Sequence, residues 1–142
     1  MVQTWPGGAE MQIIVASANV FRRDLSSSIL NEAGYTVAEA RTAAGLFTYL
    51  HDALPALIVL DYQLDDTEPS RLLRLLRQQT NVPLVWVTEQ IQSMRLIASD
   101  QGRSAVLAWP YQTEQLLTVV AMLLGQVSPH LRLGIETRPY LT

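Results

Sequence analysis

The chain alternates short runs of consecutive apolar residues with longer segments in which apolar residues recur every three or four positions. A short apolar run without polar alternation is typical of a strand that is covered on both faces of a parallel sheet. Five such runs occupy residues 12–16, 35–40, 57–60, 84–87 and 105–108. The pattern therefore predicts five strands.

The segments between these runs have the apolar spacing of helices. Capping and terminating residues predict that the helices run from Asn19 to Gly34, from Thr42 to about His51, onward from Pro69, from Ile91 to Gly102 and from Thr113 to Gly125. Strands and helices that alternate in this way predict a doubly wound α/β fold. Its five-stranded parallel sheet would lie between two helical layers.

The two ends of the chain break this alternation. Residues 1–10 contain Pro6-Gly7-Gly8 and predict a flexible leader. Residues 11–125 predict one folded domain. Residues 126–142 predict a linker or tail, with one short strand at about residues 131–136. This tail either ends an adaptor protein or leads to an output domain.

Composition narrows the class of protein. Apolar residues make up 49% of the 142 residues and charged residues 16%, which indicates a globular protein. No apolar run approaches the ~18 residues that span a bilayer, and the N-terminus lacks a signal-peptide pattern, so we expect a cytoplasmic protein without membrane contact. The net charge of −3 argues against direct nucleic-acid binding, which requires a concentrated basic surface.

All ten basic residues are arginine, and the sequence contains neither lysine nor cysteine. Disulfides, thiol nucleophiles and cysteine-ligated metals are therefore excluded within this sequence. A mechanism that requires a lysine ammonium group from the same chain is excluded as well.

Asp61 follows directly after the apolar run Leu57-Ile58-Val59-Leu60. Ligands of open α/β sheets bind beyond the carboxyl ends of the strands, so Asp61 is a candidate functional carboxylate. The alternative is a carboxylate that only caps a turn. If Asp61 is buried without cationic neighbours, we expect its pKa to be raised.

Several short segments have the order and spacing of a known family. They are Ile13-Ile14-Val15-Ala16, Ala33-Gly34-Tyr35, Leu57-Ile58-Val59-Leu60-Asp61, Val82-Pro83, Thr88 and Pro110-Tyr111. Together they resemble the receiver domain of two-component response regulators, over about residues 11–125. The resemblance implies a flavodoxin-like fold with three layers, α/β/α.

In that family, the aspartate at the position of Asp61 accepts a phosphoryl group from a histidine kinase, and a hydroxyl at the position of Thr88 contacts that group. Two acidic residues hold Mg²⁺, and a lysine pairs with the phosphoryl group. Here the acidic positions fall on Ser17 and Ala18, and the lysine position falls on Trp109. The resemblance therefore implies a degenerate pocket, and we expect no bound metal and no Mg²⁺ cofactor.

Other charged side chains would have to replace the missing acidic pair and the missing lysine. The acids Asp65, Asp66 and Glu68 follow the central strand, but solvated turn residues are the commoner outcome for such acids. An arginine such as Arg22 or Arg103 is the remaining source of a cation.

Trp109 has two interpretations. Either it packs at the sheet edge as a large amphipathic side chain, or its indole N–H donates to Asp61 in place of the lysine. Val106 stands at the position of the family's aromatic switch residue, and Pro69 at that of a glycine, which stiffens the backbone.

The other charged or ligating residues are expected to be structural. His51 and His130 are far apart and have no partner pattern, so they do not predict a metal site. Arg71, Arg74 and Arg77 recur every three residues, which predicts a solvated helix face or, alternatively, contact with an acidic partner.

The leading hypothesis is a pseudo-receiver, a non-enzymatic module that signals through protein contacts without phosphorylation and regulates an attached or partner transcription domain. One rival is a working phosphoacceptor that a histidine kinase phosphorylates on Asp61. Another is a sensor that binds a small ligand in the degenerate pocket. The resemblance also implies a homodimer through about Ile91 to Gly125.

Overall fold

Five strands and four helices make up the part of the chain that the computed structural model describes, namely residues 2–4, 10–89, 95 and 99–125. In chain order they are β1 (Gln12–Ala16), α1 (Val20–Glu32), β2 (Thr36–Ala40), α2 (Ala43–Asp52), β3 (Leu57–Asp61), α3 (Pro69–Gln79), β4 (Leu84–Thr88), β5 (Ser104–Ala108) and α4 (Thr113–Leu123). The helix predicted from Ile91 lies largely outside the described residues, and the predicted tail strand lies wholly outside them.

The strands form one parallel sheet in the order β2-β1-β3-β4-β5. β3 is the central strand, and every residue of β3 and β4 is buried. Strands that are covered on both faces show no polar alternation, which explains their continuous apolar runs. The predicted five-stranded, doubly wound α/β fold is confirmed.

Each strand contributes side chains to two cores, because successive residues of a strand point to opposite faces of the sheet. On one face, Ile13, Val15, Leu57 and Val59 belong to a core with Leu30 of α1 and with Leu116 and Val120 of α4. On the other, Ile14, Ile58, Leu60 and Trp86 pack with Leu46 of α2 and with Leu72 and Leu76 of α3. The result is the predicted three-layer arrangement. None of the helices in the described part of the chain has the length and apolar character that crossing a bilayer requires.

The first two helices begin at the residues that the sequence predicts. The Asn19 side-chain oxygen accepts the Arg22 N–H over 3.0 Å, and the Thr42 hydroxyl accepts the Gly45 N–H over the same distance. Each bond satisfies a backbone donor that the first turn of a helix leaves unpaired. Gly34 follows α1 with a φ of 101°, a conformation that favours glycine.

The predicted cap of the last helix is wrong by one residue. Gln112 is the N-cap, and Thr113 is the first residue of α4. The Gln115 side-chain oxygen accepts the Gln112 N–H over 2.7 Å. A glutamine at the third helical position that bonds back to the cap residue stabilises this start without a hydroxyl cap.

Part of the predicted leader contacts the domain. The Gln3 N–H donates to the Gly34 carbonyl over 2.7 Å, and the Gln3 side chain donates to the Ala33 carbonyl over 3.1 Å. Gln3 thus lies against the turn between α1 and β2. The domain boundaries at residues 10 and 125 stay predictions.

Arg77 joins the end of α3 to the segment before β5. Its Nε and Nη2 donate to the two carboxylate oxygens of Asp100 over 2.8 and 2.6 Å, and its Nη1 donates to the Val82 carbonyl over 2.7 Å. Asp100 is only 3% exposed. Burial alone would raise the pKa of Asp100, but hydrogen bonds from Arg77 and Ser104, together with nearby arginine charges, outweigh it and lower that pKa.

The Arg77–Asp100 pair also connects to the core of the sheet. The Ser104 hydroxyl donates to Asp100 over 2.5 Å and accepts the indole N–H of the buried Trp86 over 3.1 Å. The predicted solvated face is therefore correct for Arg71 and Arg74, which are exposed. It is wrong for Arg77, because that side chain turns inward to pair with Asp100.

The Arg77–Asp100 pair predicts a large difference between two arginines of the same helix. Arg77→Ala leaves the Asp100 carboxylate buried without its cation and is expected to lower the free energy of unfolding by about 3–5 kcal/mol. Arg74→Ala removes an exposed side chain and is expected to change it by less than about 0.5 kcal/mol. Urea unfolding followed by circular dichroism measures both variants. Equal losses of stability would contradict the structural role of Arg77.

Candidate functional site

Three neighbouring strands bring predicted site residues to one edge of the sheet. Because β1, β3 and β4 are parallel, their carboxyl ends meet there, with Ser17 following β1 and with Asp61 and Thr88 ending β3 and β4. Ala16 pairs with Leu60 in the sheet, so the residues that follow them, Ser17 and Asp61, are neighbours.

Asp61 is buried at the end of β3, with 8% of its surface exposed. Its Oδ2 accepts a hydrogen bond from the Ser17 hydroxyl. The Asn19 N–H donates to the same Ser17 oxygen over 3.1 Å, and the Arg23 guanidinium donates to the Ser17 carbonyl over 2.7 Å. Ser17 is thus held in place as a donor to Asp61.

The pKa of Asp61 lies above its ordinary value. Burial is the largest cause, because removal from water disfavours the charged carboxylate. The Ser17 hydrogen bond and the Arg22 charge lower this pKa, and the Glu89 charge raises it, without changing the direction. A raised pKa is what the sequence analysis expects of a buried Asp61, although here a cation lies nearby.

A crevice of about 210 Å³ opens at Asp61. Its walls come from the turns after β1, β3 and β4 and from the first turn of α1, and they comprise Ala18, Asn19, Arg22, Asp61, Tyr62, Gln63, Asp65, Val87, Thr88 and Glu89. Of the predicted pocket residues, Ala18, Asp61 and Thr88 line it. Ser17 is buried next to Asp61, and Trp109 is not part of the lining.

Arg22 carries the positive charge among the lining residues. Its Nη2 lies 3.0 Å from Glu89 Oε2, and its guanidinium carbon lies 4.6 Å from the centre of the Trp109 ring. The ion pair and the ring contact together hold the guanidinium group at the crevice. Of the two arginines that the sequence suggests as a cation, Arg22 is therefore the one at the site. Arg103 instead donates to the Asn81 side chain over 2.6 Å.

Trp109 packs among aromatic rings. It meets Phe21 and Tyr111 edge to face, with ring centres 6.2 and 5.3 Å apart, and it lies against the core between the sheet, α1 and α4. This environment favours the packing interpretation of Trp109. Within the described part of the chain, the side-chain donor to Asp61 is the Ser17 hydroxyl and not the indole N–H.

The three acids of the loop after β3, Asp65, Asp66 and Glu68, lie in different environments. Asp66 accepts the Ala43 and Ala44 N–H groups over 2.9 and 3.1 Å, so it binds the first turn of α2. These backbone hydrogen bonds, chiefly the one from Ala43, lower the pKa of Asp66. Asp65 lines the crevice, whereas Glu68 is the N-cap residue of α3 and makes no side-chain bond to that helix.

The oxygen donors at the crevice differ from those of a Mg²⁺ site. Mg²⁺ requires near-octahedral oxygen ligands at about 2.0–2.1 Å, commonly including one or two carboxylates. Among the described residues, no three His, Asp or Glu side chains converge closely enough to hold an ion. Asp61 is bonded to Ser17, and Glu89 is paired with Arg22. The family's acidic pair is thus replaced by Ser17 and Ala18, neither of which supplies a carboxylate ligand.

Two other residues singled out in the sequence lie away from the crevice lining. Val106 is half-buried and packs against the core between the sheet, α2 and α3. His51 is exposed on α2, and His130 lies outside the described residues.

Two contacts of the site are not among the sequence-based predictions. The sequence predicts Ser17 as part of the degenerate pocket but not its hydrogen bond to Asp61, which the aligned ends of β1 and β3 indicate. Glu89, which directly follows Thr88, is not among the predicted site residues. The pairing of Glu89 with Arg22 depends on where α1 starts relative to β4, and no local pattern reveals that position.

A parallel sheet with a buried aspartate at the end of its central strand is the arrangement that the receiver resemblance implies. The family model described as the response regulator receiver domain matches residues 13–121. The chain belongs to this family.

Two proteins to which the chain is similar are transcriptional regulatory proteins. The TorCAD operon transcriptional regulatory protein TorR of Escherichia coli O157:H7 is 28% identical over 129 residues, which cover 90% of this chain and 54% of TorR. The transcriptional regulatory protein BaeR of Escherichia coli O6:H1 is 29% identical over 82 residues, 57% of this chain and 34% of BaeR. The chain thus spans about half the length of TorR and about a third of BaeR.

Solved structures show the same fold. A two-component response regulator from Clostridium difficile has a TM-score of 0.75 at 21% identity, covering 82% of this chain and 98% of that one. A CheY-like receiver domain protein from Methanospirillum hungatei JF-1 has a TM-score of 0.73 at 19% identity, covering 82% of this chain and 94% of that one. At such identities the likeness concerns the fold alone.

The Ser17 hydroxyl predicts a measurable effect on the titration of Asp61. Ser17→Ala removes a hydrogen bond that favours the charged carboxylate, so we expect the Asp61 pKa to rise further. Ser28→Ala, which alters an exposed residue of α1, is the matched control and should leave the titration unchanged. Carboxyl-carbon NMR spectra recorded against pH measure both. An Asp61 pKa that falls or stays constant in Ser17→Ala would contradict the described bond.

The raised pKa of Asp61 also gives stability a definite pH dependence. Above the folded-state pKa, the buried carboxylate is charged and destabilises the fold relative to a neutral side chain. Below the unfolded-state pKa of about 3.9, Asp61 is protonated in both states and this destabilisation vanishes. We therefore expect Asp61→Asn to be more stable than the wild type at pH 7, with the difference closing as the pH falls through the window between the two pKa values.

Urea unfolding at a series of pH values measures this difference. Asp65→Asn alters an exposed acid of the same crevice and should change the free energy of unfolding by less than about 0.5 kcal/mol. An Asp61→Asn variant that is less stable than the wild type at pH 7, with a gap that closes as the pH falls, would show that the folded state stabilises the carboxylate, contrary to this prediction.

Proposed function

We propose that this receiver domain is a pseudo-receiver, which signals through protein contacts without being phosphorylated. The environment of Asp61 carries the proposal: a buried carboxylate that accepts the Ser17 hydroxyl, in a chain without lysine and with Ser17 and Ala18 in place of an acidic pair. Phosphoryl transfer depends mainly on charges that position and neutralise the phosphoryl group. Because most of those charges are missing, a structural role suits Asp61 better than phosphate acceptance.

The absence of Mg²⁺ chemistry is part of this proposal. The carboxylates at the crevice are engaged by Ser17 and Arg22 or lie on the exposed loop at Asp65. Because the family's acidic pair is replaced by Ser17 and Ala18, we expect neither tight Mg²⁺ binding nor phosphorylation that depends on it.

A working phosphoacceptor is the second candidate, and two observations favour it. Thr88 lines the crevice together with Asp61, as the family's chemistry needs, and Arg22 brings a permanent positive charge to the same space. In this alternative Arg22 would take over the neutralising role of the missing lysine, and a histidine kinase would be the phosphoryl donor.

We further propose that the domain regulates a transcription output domain, either attached or on a partner. The support is that TorR and BaeR are transcriptional regulatory proteins and that this chain matches only part of each. The proposal includes a cytoplasmic location, contacts with proteins rather than with nucleic acid or membrane, and a homodimer through about Ile91 to Gly125. Met122, which is 47% exposed on α4, belongs to that predicted dimer face.

Incubation with acetyl phosphate and MgCl₂ separates the two candidates. We expect the intact mass of the wild type to stay unchanged, because the groups that would neutralise the phosphoryl charge are missing. Addition of one phosphoryl group that Asp61→Asn abolishes would overturn the pseudo-receiver proposal.

A variant that restores the missing groups serves as the positive control. Combining Ser17→Asp, Ala18→Asp and Trp109→Lys returns the acidic pair and the lysine to the positions that the family resemblance implies. If this variant gains a phosphoryl group and the wild type does not, the lack of phosphorylation in the wild type is due to those three positions and not to a failure of the assay. Circular dichroism confirms that the variant is folded.

A further inference from the structure

We propose that the exposed face of α3 and the groove at its C-terminal end bind an acidic segment of a partner protein. Carboxylates of the partner would pair with Arg71 and Arg74, and a large apolar side chain would enter the groove. The groove precedes β3 and β4, at the edge of the sheet opposite to Asp61. The inference goes beyond the proposed function, because it does not depend on the state of Asp61.

Arg71 and Arg74 lie one turn apart on α3, and both are exposed. Within the described part of the chain, neither side chain has an ion pair or a hydrogen bond. Twelve of the thirteen acidic residues of the sequence lie in that part, the exception being Glu136. The domain itself therefore supplies no carboxylate to these two guanidinium groups, and a partner can supply both.

The charge of the chain is unevenly distributed around α3. Residues 70–103, which comprise most of α3, β4 and the segment before β5, contain five arginines and two acids, whereas the whole sequence has a net charge of −3. The two acids are Glu89 and Asp100, and each is already paired, with Arg22 and Arg77 respectively. This part of a negatively charged protein thus carries uncompensated positive charge, which favours an anionic partner.

The groove is a second feature at the same helix. It has a volume of about 510 Å³ and is lined by residues at the start of β3 and between α3 and β4, namely Leu54, Pro55, Ala56, Gln79, Thr80, Asn81, Val82 and Pro83. Leu54 is 66% exposed, although it is one of the larger apolar side chains. An apolar side chain of a partner would remove this surface from water.

The arginines and the groove are spaced for one partner segment. Gln79, where the groove begins, lies about 7.5 Å beyond Arg74 and about 12 Å beyond Arg71 along the helix axis. A partner helix spans these distances with two glutamates three residues apart and a leucine five residues beyond the second. Each guanidinium group presents a planar pair of donors that matches a carboxylate.

The combination of surfaces favours a protein over a nucleic acid. Affinity for nucleic acid comes from many phosphate contacts, and α3 offers only two arginines that are unpaired among the described residues. A phosphate backbone also has no apolar group that would fill the groove beside Leu54. An acidic protein segment with one apolar anchor uses both features.

Amide NMR spectra of the full chain test the proposal with a synthetic peptide, without a phosphoryl donor. The probe is acetyl-Ala-Glu-Ala-Ala-Glu-Ala-Ala-Ala-Ala-Leu-Leu-Ala-amide, used together with its reversed sequence for the opposite helix direction. One control peptide has glutamine in place of both glutamates, and another has alanine in place of both leucines. We expect saturable shifts at Leu54, Arg71, Arg74 and Gln79 with the probe in at least one direction, and weaker binding of both controls.

Variants separate the contribution of charge from that of the groove. Combining Arg71→Glu with Arg74→Glu should weaken binding of the probe about fivefold or more, because two ion pairs are lost. The same variant should prefer a peptide with lysine in place of both glutamates, a reversal that a purely structural effect would not produce. Arg41→Gln changes an exposed arginine after β2 and should leave the affinity for the probe unchanged. Leu54→Ala should weaken binding of the probe but not of the control peptide that lacks leucine.

The inference would be overturned by no saturable shift in either direction, by equal affinity for the glutamine control, or by unchanged affinity in the double arginine variant. Three other occupants would also overturn it. Shifts of the same amides on dilution of the free protein would identify a second copy, shifts caused by Glu136→Gln would identify the chain's own residues 126–142, and tighter binding of a DNA duplex would identify a nucleic acid. Because none of these spectra involves phosphorylation, their outcome leaves the pseudo-receiver proposal unaffected.

Discussion

The register between β1 and β3 is the constraint on which both the core and the crevice depend. Pairing Ala16 with Leu60 sends alternate side chains of both strands into the same two cores. The same pairing ends both strands at one level, so that Ser17 meets Asp61. A shift by one residue would exchange the two faces of the strand and would separate the hydroxyl from the carboxylate. Folding and site geometry are therefore fixed by one alignment.

The Ser17–Asp61 contact explains how the fold tolerates an acid at this depth. A buried carboxylate that has no direct ion pair among the described residues is costly, and the Ser17 hydroxyl together with the nearby Arg22 charge recovers only part of that cost. Asp100 is the other deeply buried carboxylate among the described residues. Its environment differs because the Arg77 guanidinium donates hydrogen bonds to both of its oxygens. The two acids thus have opposite pKa shifts for a clear reason: one has a guanidinium partner and the other has a neutral donor.

Local periodicity was enough to predict the sheet, because strands buried on both faces leave a continuous apolar signal. Even there, β2 starts at Thr36, and Tyr35 belongs to the core beside α1. The site was predictable where a residue ends a strand, as Asp61 and Thr88 do, or follows one closely, as Ala18 does. Contacts between distant segments, such as Arg22 with Glu89 or Arg77 with Asp100, depend on the position and orientation in which the helices pack against the sheet. No pattern within one segment carries that information.

The attachment of Asp66 to the first turn of α2 has a consequence for molecular recognition. The residue beside Asp65 is anchored by two backbone hydrogen bonds, so the loop that forms one wall of the crevice is tied to a helix before any ligand arrives. A preorganised wall loses little conformational entropy on association. Changes in affinity among ligands of such a site are expected to appear mainly in how long each ligand stays bound, and less in how fast it enters.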